Sequence, residues 1–445
     1  PGAHGEHARV PDELITKNEQ KQEKGKTMSR INIATRREFL GRGLGLVGIG
    51  AALPNYLVHT SLAGTKATAN DRIVVGLLLT GGHDGLSDMP PHGNPEYYKL
   101  RKLTRIDEKK VIKIDDQMGL HPNLAGFKEL LDEGQFAAVM GTAYPNFNLS
   151  HFASRDFWEA GHGKGRTGKR GATGWLGRYL DEAFADNKDP KLSLAVGPGR
   201  HPLTITGKDH PGIAFSSPAT FGYVGDRSKK GYPLYQDLNQ MASKKGGGDM
   251  QFVTQTAVNA NDSSDTLRKL VLGYETPVEY PDTQFGNSLR TIAGLIAKGM
   301  DTRVYYAAQG IAKFGGYDTH ADQPRRHDEL MTELCASVMA FQKDLASQGN
   351  AERVLTFTFS EFGRRAKENQ SGGTDHGLAQ PMYLFGPGVK PGLHGKHPDL
   401  VELDNDNLKM EVDFRGVYAA ILQNWLGTPS DKILGEQFPL IDCVG

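Results

Sequence analysis

Cysteine is scarce in this chain of 445 residues, which contains only Cys335 and Cys443. Two cysteines cannot form the disulfide framework of a small secreted domain, and they cannot supply a cysteine-based metal site. Cys335 lies in a helical repeat with Leu334, Val338 and Met339, and this pattern predicts a buried thiol. The fold is therefore expected to depend on its hydrophobic core, with one disulfide as the alternative.

Net charge is also missing, because 52 Lys and Arg residues balance 52 Asp and Glu residues. This balance gives no overall attraction to nucleic acid or to an anionic membrane surface. No segment after the amino-terminal region reaches the roughly 20 apolar residues of a membrane-spanning helix. Glycine-rich nucleotide fingerprints and cysteine clusters are absent, so we predict no organic cofactor, no haem, no nucleic acid partner and no membrane span.

The first 69 residues are predicted to lie outside the folded domain. Residues 1–27 are polar and without apolar periodicity, and we interpret them as a disordered tail or as sequence upstream of a start at Met28. Residues 28–69 have the features of a twin-arginine signal peptide. The folded domain is then residues 70–445.

The signal is recognised from a paired arginine before an apolar run. Arg36 and Arg37 precede a Gly- and Leu-rich run that ends before Pro54, and an Ala-x-Ala site at 67–69 predicts cleavage before Asn70. An ordinary basic amphipathic helix is the alternative. We expect export by the twin-arginine machinery to the periplasm or the extracellular space.

Segments typical of strands and of helices alternate along the rest of the chain. Strands are predicted at 73–79, 136–140, 302–309 and 354–359, and helices at 124–131, 153–159, 175–184, 323–348 and 413–426. This alternation predicts a single α/β domain, a doubly wound and mostly parallel sheet with helices on both faces. Residues 202–282 lack clear periodicity and contain a Lys- and Gly-rich loop at 243–249, so we interpret them as an inserted cap.

Acidic and imidazole side chains follow three of the predicted strands, where the crevice of such a sheet binds ligands. They are His83 and Asp84, then Asp318 and His320, then Glu361 with Arg364, and shortly afterwards Asp375 and His376. Each taken alone is equally typical of a turn, a helix cap or an ion pair. Together they predict a polar catalytic or metal site.

Ser150 and His151 stand where a predicted helix begins. Free backbone amides at a helix start favour an anionic group and activate a nucleophile. Ser150 is therefore a candidate nucleophile or ligand, and His151 a candidate base or ligand, although Ser150 also suits a helix N-cap.

Seven short motifs in order resemble the exported domain-of-unknown-function family numbered 1501. They lie at 81–86, 119–122, 150–152, 174–179, 317–320, 360–364 and 373–377, and so cover essentially all of the mature chain. That family is similar to a distant branch of the alkaline phosphatase and sulfatase superfamily. The resemblance implies an alkaline phosphatase-like doubly wound sheet that holds one or two divalent metals beside a Ser, Thr or Cys nucleophile.

The resemblance also implies roles for individual residues. The candidate metal ligands are Asp84, Asp318, His320, Glu361, Asp375 and His376, and the candidate catalytic residues are Ser150 as nucleophile, His151, and Arg364 as an anion-stabilising cation, with Arg178 as its alternative. Two departures stand out: Asp318 and His320 are two residues apart rather than four, and Glu361-Phe362 replaces an Asp-His pair. The site is thus expected to hold one ion, a different ion or none, with Zn, Mn, Mg and Ca equally suitable.

Three functions are consistent with these residues. The first is a metal-dependent hydrolase of phosphate or sulfate esters, acting on a small-molecule or polymer ester. The second is a metal-free serine hydrolase built on Ser150 with a histidine base. The third is a non-catalytic binding or surface-assembly protein, in which the acids and histidines pair with each other.

Overall fold

The computed structural model describes residues 71–162, 172–187, 189–222, 228–245, 248–311 and 315–445. The predicted tail, signal peptide and cleavage site lie outside the described residues. Among the residues that it does describe, no helix is both long and apolar enough to cross a bilayer.

The strands form one large sheet and one small ribbon. In chain order, strands β1 to β11 are Ile73–Leu79, Ile112–Lys113, Gly119–Leu120, Phe136–Ala143, Ser193–Val196, Ile213–Phe215, Val304–Gln309, Val354–Ser360, Gln380–Phe385, Gly392–His394 and Val412–Asp413. The large sheet runs in the order β10-β4-β9-β8-β1-β7-β5-β6, with β11 beside β4, and β2 pairs with β3.

The large sheet is parallel except around β9, which pairs antiparallel with both β4 and β8. β1 is parallel to its two neighbours, so that Leu79 lies opposite Gln309 of β7 and Ser360 of β8. The loops that follow these three strands therefore leave the sheet at one common edge. The predicted mostly parallel sheet is confirmed.

Helices cover both faces of the sheet, as predicted. Helices α1 to α11 are Gly85–Asp88, Pro95–Leu100, Ala125–Asp132, His151–Ala160, Trp175–Ala183, Gly231–Lys245, Gly248–Leu272, Gln284–Ala297, Gln323–Ser347, Phe414–Ala420 and Ser430–Leu434. A π-helical turn, Ile421–Trp425, continues α10, so the helix predicted over 413–426 is divided in two.

Every residue of β1 is buried, because its alternate side chains enter two different cores. Val75 and Leu77 pack into the core that α3, α8 and α9 cover. Val74 and Leu78 pack into the core that α4, α5 and α10 cover. This double burial explains the uninterrupted apolar run that predicts the strand.

The interval predicted as an inserted cap is not one unit. Ile213–Phe215 is β6, the edge strand of the main sheet, so the interval contributes to the sheet itself. Within the same interval, Gly231–Lys245 and Gly248–Leu272 are α6 and α7, which pack on each other, with α7 also packing on α8. The predicted loop at 243–249 is shorter than expected, because α6 extends to Lys245 and α7 begins at Gly248.

Both cysteines are buried and free, with Cys335 in the α9 core and Cys443 in the opposite core. The alternative of one disulfide is therefore wrong.

Candidate metal centre

The turn after β1 is built on two glycines with left-handed backbone. Gly81 has φ of 115° and Gly82 has φ of 94°, a conformation that L side chains rarely adopt. A Cβ on Gly81 would lie 2.4 Å from the Gly315 carbonyl oxygen. The Gly81 amide donates to Glu361 Oε2 at 2.7 Å, so this tight turn holds the buried glutamate in place.

Three predicted site residues come together beside this turn: His151 from the first position of α4, Asp318 from the loop after β7, and His376. Their ligand atoms all lie within 4.8 Å of one another. His151 Nε2 is 3.5 Å from Asp318 Oδ2, and His376 Nε2 is 3.1 Å from Asp318 Oδ1. A single carboxylate therefore lies between two imidazoles.

His320 joins the same group from two residues beyond Asp318. Its Nε2 atom is 3.1 Å from Asp318 Oδ1 and 3.1 Å from His376 Nε2. We define the metal-site cluster as His151, Asp318, His320 and His376.

In each of the three imidazoles, Nδ1 has its own acceptor outside the cluster. The acceptors are Glu361 Oε2 for His151 at 3.3 Å, Asp375 Oδ1 for His320 at 3.0 Å, and the Leu149 carbonyl for His376 at 2.9 Å. We assign the proton of each ring to Nδ1 from these contacts. With a cation beside Asp318, each Nε2 would present its lone pair to that cation, and this is how proteins commonly orient histidines that bind a metal.

Three members of the cluster, His151, Asp318 and His376, have ligand atoms close enough together to bind one ion. Two Nε2 lone pairs 3.1 Å apart repel each other unless a proton or a cation lies between them. Ligands bound at about 2.0–2.1 Å to a tetrahedral zinc ion are roughly 3.3 Å apart, close to the 3.1–3.5 Å that separate each histidine Nε2 from an oxygen of Asp318. Because imidazole suits zinc better than magnesium or calcium, the donor set favours Zn over the hard cations.

Without an ion, Asp318 is the charged centre of the group. Burial alone would raise the pKa of Asp318, but hydrogen bonds from His151, His376 and Arg364 hold it well below its usual range. Hydrogen bonds to Asp318 and Glu361 raise the pKa of His151 to about 9. The cluster therefore attracts positive charge onto this carboxylate.

Arg364 is buried, and each guanidinium nitrogen donates to the protein. The acceptors are the carbonyls of Gly81, Gly82, Tyr317 and Thr374 and, at 2.8 Å, Asp318 Oδ1. The guanidinium thus ties the turn after β1 to the Asp318 loop and is not presented to a substrate. This placement does not support its predicted role as an anion-binding cation.

Arg178 is not available either. Its guanidinium donates to the carbonyls of Ala160, Thr173 and Ile433 at 2.7–2.8 Å, and burial lowers its pKa to about 10. The arginine joins α5 to its neighbours.

Asp84 lies in a separate buried group. Arg101 donates to both of its carboxylate oxygens, at 2.9 Å to Oδ1, while Ser87 and Gln323 donate to Oδ2. This arginine supplies the counter-charge that the predicted metal would have provided. Asp84 is therefore not brought into the metal-site cluster, and its predicted role as a ligand is corrected to that of an ion-pair partner.

Glu361 and Asp375, also predicted as ligands, instead accept hydrogen bonds from the histidines. Glu361 is buried between the Gly81 amide and His151. Asp375 is half exposed and receives His320 Nδ1 and, at 3.2 Å, Asn369 Nδ2. Both carboxylates orient rings instead of joining the converging atoms.

Ser150 occupies the N-cap position of α4, but its side chain makes no capping hydrogen bond. The residue is exposed. Its neighbour Leu149 accepts from His376, and Ser154 on the same helix donates to the Glu361 carbonyl. Ser150 is thus exposed on a segment that is held to His376 of the cluster by one contact and to Glu361 by another.

A second buried group surrounds Asp88, and of its members the sequence singled out only His83. Asp88 accepts from His83, His327 and, at 3.0 Å, Tyr383, and all four side chains are buried. His327 lies at helical spacing from Leu330 and Met331 on the buried face of α9. That spacing is the signal that could have placed the histidine in the interior.

Several solved structures are similar in outline. The lipoteichoic acid synthase LtaP from Listeria monocytogenes has 10% identity and a TM-score of 0.40, over 88% of this chain and 81% of that chain. The PsFucS1 sulfatase from Pseudoalteromonas sp. has 12% identity and a TM-score of 0.37, over 81% and 69%. The zinc complex of the C-terminal periplasmic domain of EcEptC from Escherichia coli has 9% identity and a TM-score of 0.32, over 73% and 75%.

At these identities and TM-scores, the solved structures identify no reaction for this chain. No curated protein matched it in sequence. The family model described as protein of unknown function (DUF1501) matches residues 71–425. The chain therefore belongs to the DUF1501 family, as its seven motifs predict.

Proposed function

We propose that this chain is a metal-dependent hydrolase of phosphate or sulfate esters, with its ion held by His151, Asp318 and His376 and with His320 beside them. The observation that carries the proposal is the convergence of three Nε2 atoms on one carboxylate, while each Nδ1 is held by a separate acceptor. A cation beside Asp318 can bind the ligand atoms of His151, Asp318 and His376, which all lie within 4.8 Å of one another, and His320 lies next to Asp318 and His376.

A zinc ion bound there would supply Lewis acidity and neutralise charge on the oxygens of a phosphoryl or sulfuryl group. The protein's part is to hold the site in shape. Glu361 and Asp375 keep His151 and His320 in one tautomer, and Arg364 fixes Asp318 against the turn after β1.

Ser150 is the nucleophile in this proposal. Its exposed hydroxyl stands at the amino terminus of α4, where backbone amides favour developing negative charge. Attack forms a bond from Ser150 Oγ to phosphorus or sulfur and breaks the bond to the ester oxygen. The hydroxyl proton passes to solvent, the leaving alkoxide takes up a proton, and water later hydrolyses the serine ester.

Elemental analysis of the purified chain tests the metal directly. We expect about one zinc per chain, and its loss in Asp318→Ala and His376→Ala because each variant removes a converging donor. His397→Ala, an exposed histidine outside the cluster, is the matched control and keeps the metal. A wild-type chain free of metal after purification and zinc addition would contradict the proposal.

Aryl phosphate and aryl sulfate esters then test the reaction. Ser150→Ala should lower kcat by about a thousandfold or more, while its metal content stays unchanged. Ser371→Ala, an exposed serine on another loop, serves as the control. Full activity in Ser150→Ala would remove Ser150 as the nucleophile and leave the metal site intact as a finding.

One observation favours a non-catalytic binding protein as the second candidate. With a proton on both ring nitrogens, His320 could donate to Asp375 and also to Asp318 or His376, so the acids and histidines would be satisfied without an ion. The absence of zinc in the same elemental analysis, with no ester cleaved, would establish this candidate.

The metal-free serine hydrolase has weaker support. Glu361 orients His151 as the acid of a triad would, but His151 Nε2 faces Asp318. Labelling of Ser150 by a serine-directed phosphonate in zinc-free protein would support the metal-free serine hydrolase.

We also propose that residues 28–69 form a twin-arginine signal and that residues 70–445 act in the periplasm or outside the cell. The paired Arg36 and Arg37 before the apolar run support this location.

A further inference from the structure

Helix α6 turns an apolar face to solvent. Leu234, Leu238 and Met241 recur at helical spacing and are 59%, 57% and 56% exposed. Helices of globular proteins normally bury such a stripe. We define these three residues as the apolar face of α6.

The opposite side of α6, which packs on α7, is polar. Tyr235 and Asn239 are half-buried there. Asn261 of α7 donates to the Tyr235 hydroxyl at 3.4 Å, and Asn239 donates to the Tyr235 carbonyl at 2.8 Å. The fold thus uses the polar side of this helix and leaves its apolar side without a partner among the described residues.

Positive charge lies at both ends of the apolar face. Lys229 and Lys230 precede α6 and Lys244 and Lys245 end it, so that four lysines and the single Asp237 give residues 229–245 a formal charge of +3. Lys229, Lys230 and Lys244 are exposed and form no ion pair with any described residue. The surface therefore combines an apolar stripe with unpaired cations, although the chain as a whole is neutral.

This charge distribution distinguishes between two possible partners of the apolar face of α6, a second copy of the chain and a lipid surface. A second copy laid along α6 would bring lysines against lysines in either orientation, because both ends of the helix are basic. An anionic lipid surface accepts the three apolar side chains below its headgroups and pairs the lysines with lipid phosphates. The complementarity of charge therefore favours the lipid.

We propose that the apolar face of α6 docks this chain on the surface of anionic lipid bilayers. The contact is peripheral: α6 lies in the interface plane with Leu234, Leu238 and Met241 toward the acyl chains. This proposal does not depend on the metal-site cluster.

Vesicle flotation of the full chain tests the docking. We expect binding to vesicles of phosphatidylcholine with phosphatidylglycerol and none to phosphatidylcholine alone. The combined variant Leu234→Ser, Leu238→Ser, Met241→Ser should no longer float. Lys229→Gln and Lys230→Gln should each weaken binding about fivefold, because a lysine near an anionic surface contributes about that factor.

Leu103→Ser is the matched control, because Leu103 is 63% exposed outside α6, and it should bind as the wild type does. The lysine variants keep the inference testable if the triple variant fails to fold, which circular dichroism would reveal. Equal binding to neutral vesicles, or no binding at all, overturns the proposal. So does a concentration-dependent dimer in analytical ultracentrifugation that the triple variant dissolves, because the face would then join two copies.

Discussion

At the scale of single residues, Gly81 joins three parts of the candidate centre. Its amide holds Glu361, its carbonyl receives Arg364, and its Cα leaves no room for a side chain beside the Asp318 amide, 2.5 Å from the position of a Cβ. The left-handed backbone and the close approach both require glycine here.

Gly81→Ala should therefore destabilise the protein by about 3 kcal/mol, from backbone strain together with overpacking. Gly134→Ala is the control: its φ is 76°, but a Cβ at that position would have no neighbouring atom within 4 Å, so it carries the strain alone. Urea unfolding of both variants measures the difference. Equal losses would show that the contact with the Asp318 loop contributes nothing.

The sequence predicts that residues around Asp318, His320 and His376 gather, because they follow parallel strands. The sequence does not predict which groups Asp84 and Arg364 contact. Arg101 pairs with Asp84, and Arg364 donates to the carbonyls of Gly82 and Tyr317, which are 282 and 47 residues away in the chain. Whether a carboxylate meets a metal or a guanidinium depends on these long-range contacts, which leave no local pattern.

At the scale of elements, α9 is fastened to the segment after β1 by the buried pair of His327 and Asp88. Burial alone would raise the pKa of Asp88, but His83 and His327 hold it well below its usual range. Burial alone would lower the pKa of His327, but the charge of Asp88 raises it. Tyr383, His121 and the pair of Asp84 and Arg101 lie around these two residues.

The pH dependence of this pair has a definite sign. The stabilisation from Asp88 is complete above the unfolded pKa of about 4 and is lost as the pH falls. That from His327 is complete below the unfolded pKa of about 6.5 and is lost as the pH rises through its raised folded value. Asp88→Asn should therefore cost about 3 kcal/mol, with the largest difference from wild type between about pH 4 and 6.5.

Urea midpoints of wild type and Asp88→Asn across this pH range measure the effect. Asp322→Asn, an exposed acid paired with Arg325 at the start of α9, should change the midpoint little. A difference that does not vary with pH would mean that Asp88 acts through packing and not through charge.

Elements were predicted where burial gives a clear period. β1 is a continuous apolar run, β7 is apolar up to its final Gln309, β8 alternates Thr with Phe, and α9 repeats its apolar residues from Leu330 to Leu345. The reversed direction of β9 has no such signal, because alternation along a strand is the same whichever way its neighbours run. β6 was not predicted because a strand of three residues is too short to show a period.

At the scale of the whole molecule, the proposed signal at residues 28–69 directs export of the folded domain, residues 70–445. Arg36→Lys together with Arg37→Lys should retain the full chain in the cytoplasm, because the pathway reads the guanidinium pair and not charge alone. Arg42→Lys, in the same segment, is the control and should be exported normally. Cell fractionation measures how much of each variant is exported. Export of the double variant would contradict the proposal that these arginines form a twin-arginine signal.

The candidate metal centre is expected to form late in folding. His151 and Glu361 are 210 residues apart in the chain, and α4 must meet β8 before their side chains touch. Contacts across so long a loop form slowly, since chain entropy is lost before they contribute. The ion would thus bind after most of the fold has formed. Its uptake would accompany the last steps of folding and would not initiate folding.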